Sequence, residues 1–78
     1  MNKNKKTAQE AADLALELND MAIEGGICRW SADDLDYFTD EHVRHSDAIL
    51  LEGLDFSELR SAVVADPVFV ELMGRVSE

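Results

Sequence analysis

The sequence predicts an all-α domain, a small bundle of about four helices of which two are longer and two are short. Three observations support this prediction. Apolar residues recur every three or four positions along most of the chain. Helix-capping motifs precede the apolar runs, and the single proline stands where it would begin a helix. With 78 residues, 46% of them apolar, the chain is long enough for one domain and too apolar for disorder to be the default.

The first helix is predicted to run from about Ala8 to Glu24. Thr7 and Glu10 fit a capping box, in which each side chain accepts a hydrogen bond from a backbone amide at the helix start. Gly25-Gly26 ends the helix. The expected buried stripe consists of Ala11, Leu14, Ala15, Leu18, Met21 and Ala22, widened by Leu16 and Ile23. Residues 1–6 contain all three lysines and are expected to form a flexible basic tail, so that residues 7–78 form a single acidic domain.

A second helical region is predicted to begin after the cap Ser31 and to extend as far as Leu51, before Gly53. Asp33 and Asp34 fall in its first turn, where the helix dipole favours negative charge. One face is formed by residues at alternating spacings of three and four, namely Leu35, Phe38, His42, His45 and Ile49. The segment 39–41 is expected to interrupt or restart this helix.

Two short helices are predicted to follow. Residues 55–58 fit another capping box and open a helix that carries Phe56, Leu59, Ala62 and Val63. Asp66-Pro67 predicts the next boundary, because aspartate is favoured at the N-cap and proline at the first helical position. The last helix carries Phe69, Leu72, Met73 and Val76.

Residues 48–56 and 62–73 contain more large apolar side chains than one face of a short helix can bury. Helices that are apolar on several sides are normally covered on more than one side. The cover can be the domain's own core, a partner protein or a second copy. We expect a homodimer.

The charge is unevenly distributed. The net charge is −10, and from Thr7 onward four arginines stand against 17 acids, so that the domain carries 4 − 17 = −13. Such a surface repels nucleic acid and anionic membranes and attracts cationic surfaces. We therefore expect a protein partner with a cationic surface and no direct binding of nucleic acid or membrane. One cysteine excludes an intrachain disulfide, and no segment fits a membrane span or a signal peptide, so a cytoplasmic protein is expected.

Five acids of the first helix alternate at spacings of three and four with no lysine or arginine between them. This acidic row consists of Glu10, Asp13, Glu17, Asp20 and Glu24. Like charges at such spacings destabilise a helix by a few tenths of a kcal/mol per pair, about 1 kcal/mol for four pairs. The row is either a solvated face or a surface that binds a partner. In the second case, the acids that extend it are Asp33, Asp34 and Asp36.

No catalytic, cofactor-binding or metal-binding motif is apparent. His42 and His45 are one helical turn apart, but a closed metal site needs four ligands and no H-E-x-x-H pattern is present. Cys28 is expected to be packed rather than reactive. We therefore expect no enzyme and no cofactor. The alternative is a small hydrolase or metal-dependent enzyme whose site is assembled across a dimer interface.

In size, acidity and helix content the chain resembles small phage-encoded proteins that disable host machinery, among them anti-CRISPR proteins and DNA mimics. The resemblance implies an inhibitor that occupies a cationic nucleic-acid-binding surface of a target protein. A second hypothesis is a regulatory adaptor or antitoxin-like protein that binds its partner through an apolar helical surface. The aromatic anchors for that role are Trp30, Tyr37, Phe38, Phe56 and Phe69.

Overall fold

The computed structural model describes the backbone of residues 2–76 and the side chains of residues 5–27 and 29–76. In chain order the elements are α1 (Asn2–Glu24), a 3₁₀ turn (Ile27–Arg29), α2 (Ala32–Arg44), α3 (Asp47–Leu50), α4 (Phe56–Ala65) and α5 (Pro67–Val76). Four of the five α-helices have seven or more residues, and no strand occurs among residues 2–76. The predicted all-α bundle is confirmed.

Helix α1 begins at Asn2, so the predicted start at Ala8 and the capping box at Thr7 are wrong. Thr7 lies inside the helix with only 5% of its surface exposed. The residues before it are mainly lysines, which have good helix propensity. Lys6 also forms an ion pair with Glu52, which follows α3 in the chain. Residues 2–6, expected as a tail, are therefore helical, and Met1 lies outside the described residues.

Two glycines end α1 as predicted. The Gly25 amide donates a hydrogen bond to the Met21 carbonyl oxygen at 2.9 Å, and Gly26 has a φ of 84°, which favours glycine. A Cβ atom on Gly25 would lie 3.3 Å from Trp30 Nε1, so the indole packs closely over the helix end. The Trp30 ring centroid is 4.7 Å from that of Phe38 on α2. This contact joins the end of α1 to α2.

The second helical region is capped as predicted but divides at a different point. Ser31 and Asp34 form a reciprocal capping box with both bonds at 3.1 Å. The chain does not break at residues 39–41, where the Thr39 hydroxyl donates to the Leu35 carbonyl oxygen within α2 at 2.6 Å. It breaks at His45 and Ser46, the C-cap of α2 and the N-cap of α3. The predicted interruption at residues 39–41 is therefore wrong.

The last two helices begin where the sequence predicts. Asp55 caps α4, since its Oδ2 accepts a hydrogen bond from the Glu58 amide at 2.9 Å. Asp66 separates α4 from α5, and its Oδ1 accepts from the Val68 amide at 2.9 Å. With Pro67 as the first residue of α5, this boundary confirms the prediction.

Helix α1 supplies one wall of the core and contacts α2, α4, α5 and the 3₁₀ turn. Residues that are almost fully buried include Leu18 on α1, Leu35 on α2, Leu59 on α4 and Leu72 on α5. The remaining apolar core residues are Ala11, Leu14, Ala15, Ala22, Val43, Ala48, Val63, Phe69 and Val76.

Three residues assigned to the buried stripe of α1 are exposed instead, to 50% for Leu16, 38% for Met21 and 54% for Ile23. Leu16 and Ile23 lie about 140–160° around the helix from Leu18, at 100° per residue. Only one side of α1 meets the other helices, so this prediction is wrong for these three residues. Across the described residues, no helix is both long and apolar enough to cross a membrane.

Candidate protein-binding surface

The acidic row lies along the surface of α1 as predicted. Asp13, Glu17, Asp20 and Glu24 are exposed, and Glu10 is half-buried. At a rise of 1.5 Å per residue, the row extends for about 21 Å. It occupies the strip between the buried stripe and the exposed side chains of Leu16 and Ile23. Five carboxylates are thus held on one rigid element.

The N-terminal end of the row is mixed in charge. Burial raises the pKa of Glu10 above its ordinary value, the neighbouring carboxylates of Asp13 and Glu52 raise it further, and Lys6 partly offsets this effect. Lys6 pairs with Glu52, and these residues border a shallow depression of about 400 Å³ together with Lys5 and Gln9. This end therefore presents both cations and acids to solvent.

The middle of the row is tied to α2 by a histidine. His42 Nε2 lies 2.5 Å from Glu17 Oε1, although the two residues are 25 positions apart in the chain. His45 contacts its own helix, with Nδ1 2.9 Å from the Glu41 carbonyl oxygen. Within the described part of the chain, no group of three or more His, Cys, Asp or Glu residues is placed to hold a metal ion. The contact between His42 and Glu17 joins α2 to α1.

The other acids of the row have no cationic partner. Among the described residues, Asp13, Asp20 and Glu24 form no ion pair. We call these three residues the unpaired acids. The arginines of α2, α4 and α5 are engaged elsewhere: Arg60 with Asp36 and Asp40, Arg75 with Glu71, and Arg44 over the ring of Phe56. The unpaired acids therefore present carboxylates to solvent without a direct ion pair, and Asp13 lines the same depression as Lys5 and Lys6.

The three acids of α2 that were expected to extend the row have different surroundings. Asp33 is exposed in the first turn, and Asp34 takes part in the capping box with Ser31. Asp36 forms an ion pair with Arg60 of α4. Asp36 and His42 are about 120° apart around α2, so Asp36 lies on the side of α4 rather than on the side that contacts the row. The structure brings together the acids of α1 but directs Asp36 away from them.

The aromatic residues proposed as anchors lie mostly in the core. Phe69 is buried, and three others, Trp30, Phe38 and Phe56, are half-buried and packed against the core. Tyr37 alone among the five is exposed, to 60%. Besides Tyr37, the large apolar side chains that reach solvent outside α1 are aliphatic, at Leu50, Leu51 and Val70. Leu50 and Val70 lie on short helices that bury one face each, and Leu51 follows α3 directly. The side chain of Cys28 lies outside the described residues.

Comparison of this chain with protein-family models, with curated proteins and with solved structures finds no significant match in any of the three.

Proposed function

We propose that this protein is a non-catalytic cytoplasmic inhibitor that uses the acidic row of α1 to occupy a cationic nucleic-acid-binding surface of a target protein. The observation that supports this proposal is the set of unpaired acids Asp13, Asp20 and Glu24. They are exposed on a helix whose opposite side is packed in the core, and no described cation pairs with them. A solvated helix face normally mixes charges, because pairs of opposite sign stabilise a helix.

The spacing of the carboxylates suits a surface that normally holds nucleic acid. The row places one charge per roughly 5 Å along the helix axis, and one strand of a DNA duplex places one per about 3.4 Å. A target with a phosphate-binding groove would meet a similar linear anion that carries no bases. Small phage-encoded inhibitors, which the chain resembles in size, acidity and helix content, are a class in which such a surface is useful.

The proposal is tested by affinity capture from nuclease-treated bacterial lysate with the tagged protein as bait. We expect a nucleic-acid-handling protein that is released as salt rises, because salt screens attraction between exposed charges. The captured protein is then purified and mixed with a labelled DNA or RNA oligonucleotide. The present protein should displace the oligonucleotide in proportion to its own occupancy of the target. Simultaneous binding of both would contradict inhibition by occupation.

Two variants with equal net charge test whether binding depends on the unpaired acids or only on the total negative charge of the protein. The test variant is D13N/D20N/E24Q, which removes the unpaired acids. The control variant is D47N/E58Q/E71Q, which removes three exposed acids on α3, α4 and α5. Each changes the net charge from −10 to −10 + 3 = −7. We expect the test variant to lose at least about tenfold in affinity and the control to keep it within about twofold. Equal losses would show that only the total charge matters.

The adaptor hypothesis keeps one specific observation in its favour. Leu50 and Leu51 are adjacent in the chain and exposed to 62% and 78%, more than any other large apolar side chain of the described residues. A partner that binds these residues should stay bound at high salt, because apolar contacts are not screened. It should also be lost in L50S/L51S and retained in D13N/D20N/E24Q. These three results together would favour the adaptor function over the acidic inhibitor function.

A further inference from the structure

One strip along the solvent side of α5 carries no charge in a strongly acidic protein. Pro67, Val70 and Gly74 follow one another at spacings of three and four along this side, and all three are exposed. The charged residues of the helix, Glu71 and Arg75, flank this strip and pair with each other at 3.1 Å. The strip therefore offers another molecule an apolar surface with a neutralised border.

A groove runs beside Val70, between α2, α4 and α5. Its volume is about 260 Å³, and its apolar lining consists of Val64, Phe69, Val70 and Met73. The charged residues at its edge, Asp36 and Arg60, are paired with each other. Another apolar side chain can therefore enter the groove without separating a charge from its partner.

The presence of a glycine at position 74 is a second, independent observation on the same face of α5. Glycine is the poorest helix former after proline, yet Gly74 lies within α5 with a helical backbone. A Cβ atom at this position would meet nothing within 4 Å, so packing inside one chain does not require glycine. A glycine lets another backbone or side chain approach the helix closely, which would account for its presence here.

The distribution of charge identifies the molecule that can approach. Residues 2–55 contain 13 acids, three lysines and two arginines, or 5 − 13 = −8, whereas residues 56–76 contain three acids and two arginines, or 2 − 3 = −1. Repulsion between two copies of this chain is therefore weaker where the faces of α4 and α5 meet than where the acidic faces of α1 and α2 meet. We propose that the face formed by Val64, Val70, Met73 and Gly74 is a self-association surface, at which a second copy docks about a twofold axis so that Val70 of each copy enters the groove of the other.

The size of this surface sets the strength of the dimer. Helices α4 and α5 have 10 residues each and are therefore about 15 Å long. Such a face is smaller than the roughly 800 Å² per partner that a standard interface buries. The dimer is accordingly weak, with a dissociation constant in the micromolar range or above. Added salt strengthens it, because salt screens the repulsion between the acidic bodies.

The test is sedimentation equilibrium of the whole chain at about 5 to 500 µM protein, in about 0.1 M and about 1 M NaCl. We expect a reversible equilibrium between monomer and dimer that shifts toward dimer at high salt. A protein that stays monomeric at the highest concentration and salt overturns the proposal, and the groove would then belong to a different partner.

Three single-residue variants test where the dimer interface lies. Val70→Asp should weaken the dimer at least about tenfold, and Gly74→Ala about threefold or more, although alanine favours the helix. Leu16→Asp is the matched control, because Leu16 is exposed to 50% on α1 against 58% for Val70 and the change adds the same charge. It should alter the dissociation constant less than about twofold. Equal weakening by Val70→Asp and Leu16→Asp, or no effect of Gly74→Ala, overturns the proposal.

Circular dichroism checks that each variant is folded. If Val70→Asp is unfolded, the effect of Gly74→Ala on the dissociation constant tests the proposal instead. The result is independent of the proposed inhibitor function. Binding through the unpaired acids weakens as salt rises and fails in D13N/D20N/E24Q, whereas the dimer strengthens as salt rises and persists in that variant.

Discussion

Arg60 of α4 donates a hydrogen bond from Nε to the carboxylate of Asp40 on α2, and its second arm reaches Asp36 one turn away. The bond to Asp40 raises the pKa of Arg60 above its ordinary value, burial opposes this effect, and attraction to Asp36 adds to it. The pairs hold α2 and α4 together at the edge of the core. No other described ion pair has two carboxylates on one cation.

We expect Arg60→Met to lower the free energy of unfolding by about 1 to 2 kcal/mol, because it removes two charged hydrogen bonds at a partly buried site. The control is Arg75→Met, which breaks an exposed pair within α5 and should cost about 0.5 kcal/mol or less. Urea denaturation at a low protein concentration, at which the proposed dimer dissociates, measures both. If both variants lower the free energy of unfolding equally, the Arg60 ion pairs stabilise the fold no more than an exposed ion pair does.

Leu18 and Leu16 test which side of α1 is packed. Leu18 has none of its surface exposed and Leu16 has half. Leu18→Ala should cost about 2 to 4 kcal/mol, because it removes buried methyl groups and leaves a cavity. Leu16→Ala should cost less than about 1 kcal/mol. The same denaturation experiment measures both, and a large cost at Leu16 would mean that this residue is covered in solution.

Replacement of Gly53 and of Gly74 by alanine should change the free energy of unfolding in opposite directions. Gly53 has a φ of 73°, and a Cβ atom there would meet nothing within 4 Å, so its requirement for glycine comes from the backbone alone. Gly53→Ala should lower the free energy of unfolding by about 1 kcal/mol. Gly74→Ala in the dilute monomer should raise it by up to about 1 kcal/mol. A stabilising effect at Gly53 would contradict the left-handed turn between α3 and α4.

The raised pKa of Glu10 predicts that the stability of the folded protein depends on pH. Its pKa is raised in the folded protein, chiefly by burial, so folding favours the protonated form. The stability that this group contributes is fully present below its unfolded pKa of about 4.5 and is lost as the pH rises through the folded pKa. Glu10→Gln should therefore raise the melting temperature at pH 7 and have little effect below about pH 4.

Glu24→Gln is the control for Glu10→Gln, because it removes one negative charge from the same row at an exposed position. Thermal denaturation followed by circular dichroism at about pH 3.5 and pH 7 compares the two variants. At pH 7 the gain at Glu10 should exceed that at Glu24 and remain below about 1 kcal/mol. Equal gains would mean that total charge, rather than burial of Glu10, sets the effect.

Local signals in the sequence predicted much of the fold. Gly25-Gly26, Ser31, Asp55 and Asp66-Pro67 each mark a helix end through a bond or a backbone angle within a few residues, and the structure confirms all four boundaries. The start of α1 was not predictable in this way. The pattern of Thr7 and Glu10 that marks a capping box also occurs inside helices, and the lysines before it continue the helix.

The candidate surface was predictable only in part, because pairing between charges depends on contacts across the fold. The alignment of the acidic row follows from helical periodicity and needs no tertiary information. Which acids remain unpaired depends on Lys6 meeting Glu52 and on Arg60 meeting Asp36, which are 46 and 24 positions apart in the chain. The exposure of Leu16 and Ile23 likewise depends on where the other helices pack. Sequence periodicity cannot supply these contacts.

The division of α1 into a packed side and an acidic side has an evolutionary consequence. The residues that hold the fold, such as Leu14 and Leu18, do not alternate at random with the unpaired acids but occupy another strip of the same helix. Substitutions along the acidic strip can therefore accumulate without disturbing the core. Under the proposed function, a lineage of such proteins can track changes in a partner, or adopt a new one, while the bundle itself is inherited unchanged.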